Sequence, residues 1–175
     1  MWYNKNMKLI ILPGNGKANK EWADDAGRAF LGIFKDQYRQ YYSHWDVDEE
    51  IINLDVELKK LKESIGNEKE YIIFAKSAGS LLSIYGVFGG EIKPTKCIFV
   101  GLPIGWAKDN NFSLEMWLEK YNIPTIIIQN SNDPYTSFEE VQMIIQRLDK
   151  KNIKAIEISG NDHKYDNFEL IKEKL

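Results

Sequence analysis

Three side chains of this sequence have the types needed for nucleophilic catalysis by serine. Ser77 lies in YIIFAKSAGS (71–80), Asp133 in TIIIQNSNDP (125–134) and His163 in SGNDHKYDNF (159–168). In a serine triad the histidine takes the proton of the hydroxyl, and the acid holds the imidazole in the tautomer that can accept it. These residue types therefore predict acyl transfer through a covalent serine intermediate.

Ser77 also fits a structural interpretation, as the residue that caps the helix after it. A nucleophile on a sharp strand-to-helix turn needs small residues two positions before and two positions after it, and these are Ala75 and Gly79. The usual pattern has glycine at both positions. Alanine keeps the small volume but loses the freedom at positive φ. The local sequence favours neither interpretation, so the choice depends on the acid and the histidine.

The acid and the histidine have their own alternatives. Asp133 precedes Pro134, and an Asp-Pro pair is common in ordinary turns. Asp162 is a weaker candidate for the acid, because the side chains of adjacent residues tend to diverge from each other. The sequence has two histidines, and His163 follows the last apolar run whereas His44 lies within an aromatic segment. The triad interpretation therefore assigns Asp133 and His163.

The loop after the first apolar run is rich in glycine, in LIILPGNGK (9–17). A phosphate-binding loop of the form G-x-x-x-x-G-K-[ST] is excluded, because Ile11 and Ala18 stand where it needs glycine and a hydroxyl residue. The dinucleotide pattern G-x-G-x-x-G fails at Asn19. Another role is needed for this loop.

The elements that must position these residues are short apolar runs separated by segments of helical periodicity. We expect strands at 8–12, about 40–47, 71–75, 97–101, 125–129 and 153–158. We expect helices at 22–34, at 54–65 after an Asn53 N-cap, at 78–88, at 113–121, at 138–148 after a Ser137–Glu140 capping box, and at 166–174.

Strands without polar alternation are buried on both faces, which is typical of parallel sheets. The alternation of strands and helices predicts an α/β fold: a doubly wound, mainly parallel sheet of about six strands with helices on both faces, in one domain over residues 1–175. In such sheets ligands bind at the carboxyl ends of the strands. Ser77, Asp133 and His163 each follow a predicted strand.

Composition excludes several classes of function. The net charge of -3 argues against nucleic acid as a partner. The apolar run LIIL is too short to insert into a membrane. The single cysteine, Cys97, forms no internal disulfide, so we expect a cytoplasmic protein. No metal-ligand cluster is visible, so we expect no metal and no cofactor. The sequence indicates no oligomeric state.

These residues resemble the α/β-hydrolase superfamily over nearly all of residues 7 to 175. The resemblance is carried by LPGNG, AKSAG, Asp133-Pro134 and Gly160-x-x-His163, and by the chain order serine, acid, histidine. The sequence is similar to small lidless serine hydrolases, of the retinoblastoma-binding-protein and dienelactone-hydrolase-like types. The first two antiparallel strands of the superfamily have no counterpart here, and only residues 102–112 stand where its caps usually lie.

The resemblance implies an oxyanion hole made by the backbone N–H groups of Asn15 and Ala78. A substrate pocket is expected beside it, with Gly14, Lys76, Leu102 and Trp106 as candidates. The aromatic residues near Trp106 also fit ordinary packing. Lys76 is expected to face solvent, with contact to an anionic substrate as the alternative.

The predicted function is hydrolysis of a small-molecule acyl substrate, an ester or thioester, through an acyl-enzyme. A small serine peptidase is one alternative. A catalytically silent protein of the same fold that binds a ligand or partner is another, since fold alone does not determine function.

Overall fold

The computed structural model of the chain describes residues 7–47 and 49–175. Within these residues, six β-strands alternate with seven α-helices. The strands are β1 (Lys8–Leu12), β2 (Asp36–Arg39), β3 (Tyr71–Lys76), β4 (Lys96–Val100), β5 (Thr125–Asn130) and β6 (Ile153–Ile158). The helices are α1 (Asn19–Ala29), α2 (Leu54–Ile65), α3 (Ala78–Phe88), α4 (Ile104–Asp109), α5 (Leu114–Lys120), α6 (Phe138–Arg147) and α7 (Phe168–Glu173).

The six strands form one parallel sheet in the order β2-β1-β3-β4-β5-β6. Successive side chains of a strand point to opposite faces. One face packs against α1 and α7, and the other against α2, α3, α5 and α6. This arrangement confirms the predicted doubly wound α/β fold. The chain leaves β1 and β3 towards opposite faces, and the gap between such neighbours is where ligands bind in open α/β sheets.

Two helix starts follow the capping signals in the sequence. The Asn53 side chain accepts a hydrogen bond from the Val56 N–H at the start of α2. Ser137 and Glu140 form a capping box at the start of α6, in which each side chain bonds the backbone of the other. Side-chain oxygens here satisfy N–H groups that have no partner inside the helix.

The second strand was predicted in the wrong place. It occupies Asp36–Arg39 rather than 40–47, and Ser43–Asp46 forms a short 3-10 helix. The apolar pattern misled because Tyr42 and Trp45 are buried in the cluster that also holds α2 and α3, away from the sheet edge. An apolar run therefore marked a core segment and not the neighbouring strand.

Two further differences concern helix ends and insertions. Helix α1 ends at Ala29, and Gly32 adopts a φ of 77° in the turn that follows, although Phe30 and Phe34 are buried as their spacing predicted. Residues 102–112 contain the short helix α4, which the sequence did not predict. In the described part of the chain, no helix has the length and apolar character needed to cross a bilayer.

Candidate active site

Ser77 stands on a sharp turn between β3 and α3. Its φ of 51° and ψ of -120° lie in a region that residues other than glycine rarely adopt. Its N–H donates to the Val100 carbonyl at 3.1 Å, which ties the turn to β4. The Ser77 side chain makes no capping hydrogen bond, so the helix-cap interpretation of this residue is wrong.

The small residues around Ser77 are needed for close packing. A Cβ atom at Gly79 would lie 2.3 Å from the Leu12 carbonyl oxygen, so only glycine lets α3 approach β1 this closely. Ala75 pairs with Leu12 inside the sheet and is fully buried. Ser77, and not Ala75, adopts positive φ here. Alanine therefore fits at position 75 at no conformational cost.

His163 and Asp133 form a hydrogen-bonded pair. The distance between His163 Nδ1 and Asp133 Oδ2 is 2.6 Å. A carboxylate oxygen accepts, so Nδ1 carries the proton and Nε2 presents a lone pair. Nε2 is buried and has no hydrogen-bond partner among the described residues. An imidazole in this tautomer can act as a base through Nε2.

Asp133 is held by three donors. In addition to His163, the Tyr165 hydroxyl donates to Oδ2 at 2.6 Å and the Tyr135 N–H donates to Oδ1 at 2.9 Å. Burial alone would raise the pKa of Asp133, but the hydrogen bonds from His163, Tyr165 and the Tyr135 N–H outweigh it and leave that pKa below its ordinary value. The carboxylate therefore stays ionised. Asp162, the rival acid, instead accepts from the Lys164 N–H.

Tyr165 was missed by the sequence analysis. Its φ is 50°, its ring packs edge-on against His163 at 5.5 Å between centroids, and its hydroxyl also accepts from the Asn130 N–H. The Trp22 indole N–H donates to its carbonyl. A tyrosine two residues after the histidine was the signal available in the sequence, but nothing there tied it to the acid.

Gly101 lies beneath the histidine and the tyrosine. Its φ is +64°, and a Cβ atom there would lie 2.4 Å from the Tyr165 ring and 2.7 Å from His163 Cε1. A side chain at this position would push both rings out of place. Glycine after β4 therefore keeps the space in which the His163 ring sits.

The Asn15 loop is clamped by the segment that follows β2. The Asn15 carbonyl accepts from the Trp45 indole N–H at 2.6 Å and lies 2.8 Å from His44 Nε2. Its side chain accepts from the Ile52 N–H and donates to the Glu50 carbonyl. Because a carbonyl only accepts, His44 Nε2 carries the proton. These contacts fix the loop, and they give His44 a structural role.

The two N–H groups expected to form an oxyanion hole have no acceptor within the described residues. Neither the Asn15 N–H nor the Ala78 N–H donates to a backbone or side-chain oxygen there. Ala78 opens α3 directly after Ser77. Buried N–H groups normally have partners, so two free donors on the elements next to a serine can receive an anionic oxygen.

A cavity of about 630 Å³ opens at the carboxyl ends of the strands. Ser77 and His163 both line it. Within the described residues the Ser77 side chain makes no hydrogen bond. Its walls are Gly14, Asn15, Gly16, Asn19, Lys76, Ser77, Trp106, Pro134, Tyr135, Asn161, Asp162, His163 and Lys164.

Three of the four predicted pocket residues lie on that wall, namely Gly14, Lys76 and Trp106. Leu102 does not. It is 1% exposed in the apolar cluster, and its N–H donates to the Gln129 side chain at 2.8 Å. The chain turns inward at Leu102 before α4 begins, and α4 then brings Trp106 to the cavity.

Lys76 does not face solvent as expected. It is 7% exposed, and its ammonium lies 5.6 Å from the centroid of the Trp22 ring. Burial lowers the pKa of Lys76 to about 8, against the opposing influence of Asp166, Asp162 and Asp133. The strand carries this side chain inward on the face that packs against α1 and α7.

In residues 7–47 and 49–175, no group of three or more His, Cys, Asp or Glu side chains is arranged to hold a metal ion. Cys97 is buried on β4, and burial raises its pKa to about 11. The chemistry-bearing groups that line the cavity are the serine, the histidine, the lysines, the Asp162 carboxylate, the Tyr135 side chain and the amides.

No family model and no curated protein matches this sequence. Solved structures do match its fold. An uncharacterized protein from Bacillus cereus is 21% identical with a TM-score of 0.73, and the match covers 98% of this chain. The chain spans only 58% of that protein's length.

In two other solved structures the match covers most of both chains. A protein described as a YdeN-like hydrolase, from Pectobacterium atrosepticum, is 18% identical with a TM-score of 0.70, covering 93% of this chain and 83% of its own. Est1E from Butyrivibrio proteoclasticus, with bound ferulic acid, is 15% identical with a TM-score of 0.72, and the match covers 97% of this chain and 86% of Est1E. At these identities the likeness is one of architecture, and this chain has the α/β-hydrolase fold.

Proposed function

We propose that the protein is a serine hydrolase that cleaves a small ester or thioester through an acyl-enzyme. The observation that carries the proposal is the His163 ring. Its Nδ1 is hydrogen-bonded to the ionised, buried Asp133, its Nε2 has no partner among the described residues, and the ring lines the same cavity as Ser77. The strained backbone of Ser77 supports it further, because such strain is usually retained where function needs it.

In the proposed reaction, Ser77 Oγ bonds to the substrate carbonyl carbon while His163 Nε2 takes the hydroxyl proton. The carbonyl oxygen becomes an oxyanion that accepts from the Asn15 and Ala78 N–H groups. One such donor is worth roughly 3 kcal/mol to the transition state. The intermediate then expels the leaving group, whose oxygen or sulfur receives the proton from His163.

Water completes the cycle. It attacks the acyl carbon, gives a proton to His163 Nε2 and breaks the bond to Ser77 Oγ, which is protonated again as the acid departs. Asp133 keeps its hydrogen bond to Nδ1 throughout and stabilises the imidazolium. General-base assistance of this kind contributes about 10²–10⁴-fold to the rate.

The shape of the cavity supports a small substrate. Trp106 and Tyr135 offer apolar surface on one side, and the described segment 102–112 provides only the six-residue helix α4 as cover. Solved structures of the same fold include a protein described as a hydrolase and one described as an esterase domain, and these descriptions support hydrolysis as the reaction. Ligand binding without turnover is the alternative that covalent labelling separates. Peptide hydrolysis is separated by comparing turnover of a peptide with turnover of a small ester.

The test is covalent labelling by a fluorophosphonate probe, with the modified peptide identified by mass spectrometry. We expect labelling of wild type at Ser77, loss of labelling in Ser77→Ala and His163→Ala, and strong slowing in Asp133→Asn. Ser113→Ala is the control, because Ser113 makes no side-chain capping bond at α5 and lies outside the cavity. A folded wild-type protein that never labels would overturn the hydrolase and favour a silent binding protein.

A further inference from the structure

Lys76 occupies an unusual place beside the proposed nucleophile. It is the last residue of β3, directly before Ser77, and it lines the cavity while being 7% exposed. Phe74 lies on the same face of the strand and stacks on Trp22 at 5.3 Å between ring centroids. The lysine stem continues this packing, and its ammonium lies over the Trp22 ring.

The Lys76 ammonium has no partner of opposite charge. Among the described residues it makes no hydrogen bond, and no carboxylate lies within ion-pair distance of it. The acids that face it act from further away. Asp133 already accepts from His163 and Tyr165, and Asp162 accepts from the Lys164 N–H. Asp166 has the largest influence of the three acids on Lys76, but its carboxylate also lies beyond ion-pair distance.

A buried charge without a partner is costly, and proteins rarely keep one that has no use. The cavity beside Lys76 offers further groups that bind anions. The Asn19 and Asn161 amides and the Lys164 side chain also line this cavity, and so does the Asp162 carboxylate. The two lysines leave one positive charge in excess over Asp162. This lining is therefore complementary to one further negative charge.

The cavity also limits the size of the ligand. Lys76 and Ser77 both line this one space of about 630 Å³. A single small molecule can therefore place a carbonyl carbon at the serine and an anionic group at the lysine.

We propose that Lys76 binds a carboxylate of the substrate, so that the preferred substrate is a short ester or thioester bearing a carboxylate close to the scissile bond. The proposal rests on the proposed hydrolase function. The carboxylate belongs either to the acyl part, as in a half-ester of a short dicarboxylic acid, or to the leaving group, as in the ester of a hydroxy acid.

The first test compares matched substrates. 4-Nitrophenyl hydrogen succinate carries the carboxylate on the acyl side, 4-acetoxybenzoate carries it on the leaving group, and 4-nitrophenyl butyrate and phenyl acetate are their neutral partners. For Lys76→Met we expect a fall of at least ten-fold in kcat/KM for one anionic substrate, mostly in KM, and a change below two-fold for its neutral partner. Lys76→Arg should restore part of the loss.

Lys108→Met is the control for charge in general, because Lys108 is an exposed lysine on α4 outside the cavity. It should leave all four substrates unchanged. An equal loss for anionic and neutral substrates in Lys76→Met would overturn the proposal, since it would indicate damage to the turn at Ser77.

The second test separates this proposal from the hydrolase itself. In this test, monomethyl succinate and 4-acetoxybenzoate are each titrated calorimetrically into two variants. These are Ser77→Ala, which has no nucleophile, and the double variant Ser77→Ala/Lys76→Met. We expect binding of one anion to Ser77→Ala and at least ten-fold weaker binding to the double variant. Fluorophosphonate labelling of wild type with no anion binding would overturn the carboxylate site alone. Anion binding without labelling would overturn the hydrolase alone.

Discussion

The Tyr165 hydroxyl lies 2.6 Å from Asp133 Oδ2, the oxygen that also accepts from His163 Nδ1. One carboxylate oxygen therefore holds a tyrosine and the imidazole at once. Because the Tyr135 N–H bonds the other oxygen, the carboxylate cannot rotate without losing a hydrogen bond. The orientation of His163 is thus fixed by the hydrogen bond to this carboxylate and by the Tyr135 ring, which packs edge-on against the imidazole at 4.7 Å between centroids.

Removing the Tyr165 hydroxyl should impair the reaction without changing substrate binding. In Tyr165→Phe, Asp133 loses one charged hydrogen bond and the Asn130 N–H loses its acceptor. We expect kcat for a small ester to fall roughly ten-fold with KM unchanged, and stability to fall by about 1–2 kcal/mol. Tyr85→Phe is the control, since it removes a 2.6 Å hydroxyl–carboxylate bond to Asp55 at the surface. An unchanged kcat would contradict this role.

A methyl group beneath the histidine should block the site. Gly101→Ala places a Cβ atom against His163 and Tyr165 at a backbone φ of +64°. Gly90→Ala meets the same backbone penalty at φ +70° but has no atom within 4 Å of the added methyl. We expect Gly90→Ala to lose about 1–2 kcal/mol of stability from the backbone, Gly101→Ala to lose about 1–3 kcal/mol more from the steric clash, and only Gly101→Ala to lose fluorophosphonate labelling. Equal labelling of Gly101→Ala and Gly90→Ala would show that the His163 ring can move aside without losing its function.

The backbone at Ser77 should be relaxed by glycine. Ser77→Gly permits φ 51° without a Cβ clash, so we expect denaturant unfolding to show a gain of about 1 kcal/mol. Ser77→Ala keeps the strain and should change stability by less than about 0.5 kcal/mol. Both variants should lose labelling. A less stable Ser77→Gly would contradict the presence of strain at the turn.

The Asn15 loop should depend on its clamp. Trp45→Phe removes the indole N–H that donates to the Asn15 carbonyl. The backbone N–H of Asn15, proposed as an oxyanion donor, should then be held less rigidly. One hydrogen bond contributes about 1 kcal/mol, so we expect labelling at Ser77 to slow roughly five-fold. Trp117→Phe is the control, because Trp117 belongs to the same apolar cluster but has no contact with the loop. Equal rates in the two variants would remove the clamp from the proposed mechanism.

Lys76 should make the protein less stable than it could be. A pKa lowered from 10.5 to about 8 means that the folded state disfavours the charged form by about 3 kcal/mol. This cost is fully present below pH 8 and disappears as the pH rises from 8 to 10.5. Lys76→Met should therefore unfold at higher denaturant than wild type at pH 7, and the difference should shrink towards pH 10. A variant less stable at pH 7 would contradict the buried charge.

The sequence was sufficient for the fold because most strands are short apolar runs bounded by turn residues. β1, β3, β4, β5 and β6 lie where those runs predicted. The failure at β2 has a clear cause. Asp36–Arg39 is a polar edge strand with three half-buried residues, whereas the aromatic segment after it enters the core. Hydrophobicity reports burial, and at a sheet edge burial and strand pairing no longer coincide.

For the site, the sequence identified residues that follow strand ends but not the contacts behind them. Strand ends converge in a parallel sheet, so Ser77 and His163 could be expected to meet. Tyr165, Trp45 and Gly101 could not be assigned, because each acts through a residue distant in the chain. The orientation of Lys76 could not be predicted from the sequence either, because it depends on which face of β3 packs against α1 and its Trp22 ring.

The clamp on Asn15 and the bond from Trp22 to Tyr165 connect the beginning of the chain to its middle and its end. The indole of Trp22 reaches a carbonyl 143 residues away. The cavity is thus built from contacts of high sequence separation, which form slowly because long loops must close first. Under the proposed function, reactivity of Ser77 towards an acyl probe would report that these distant segments have come together.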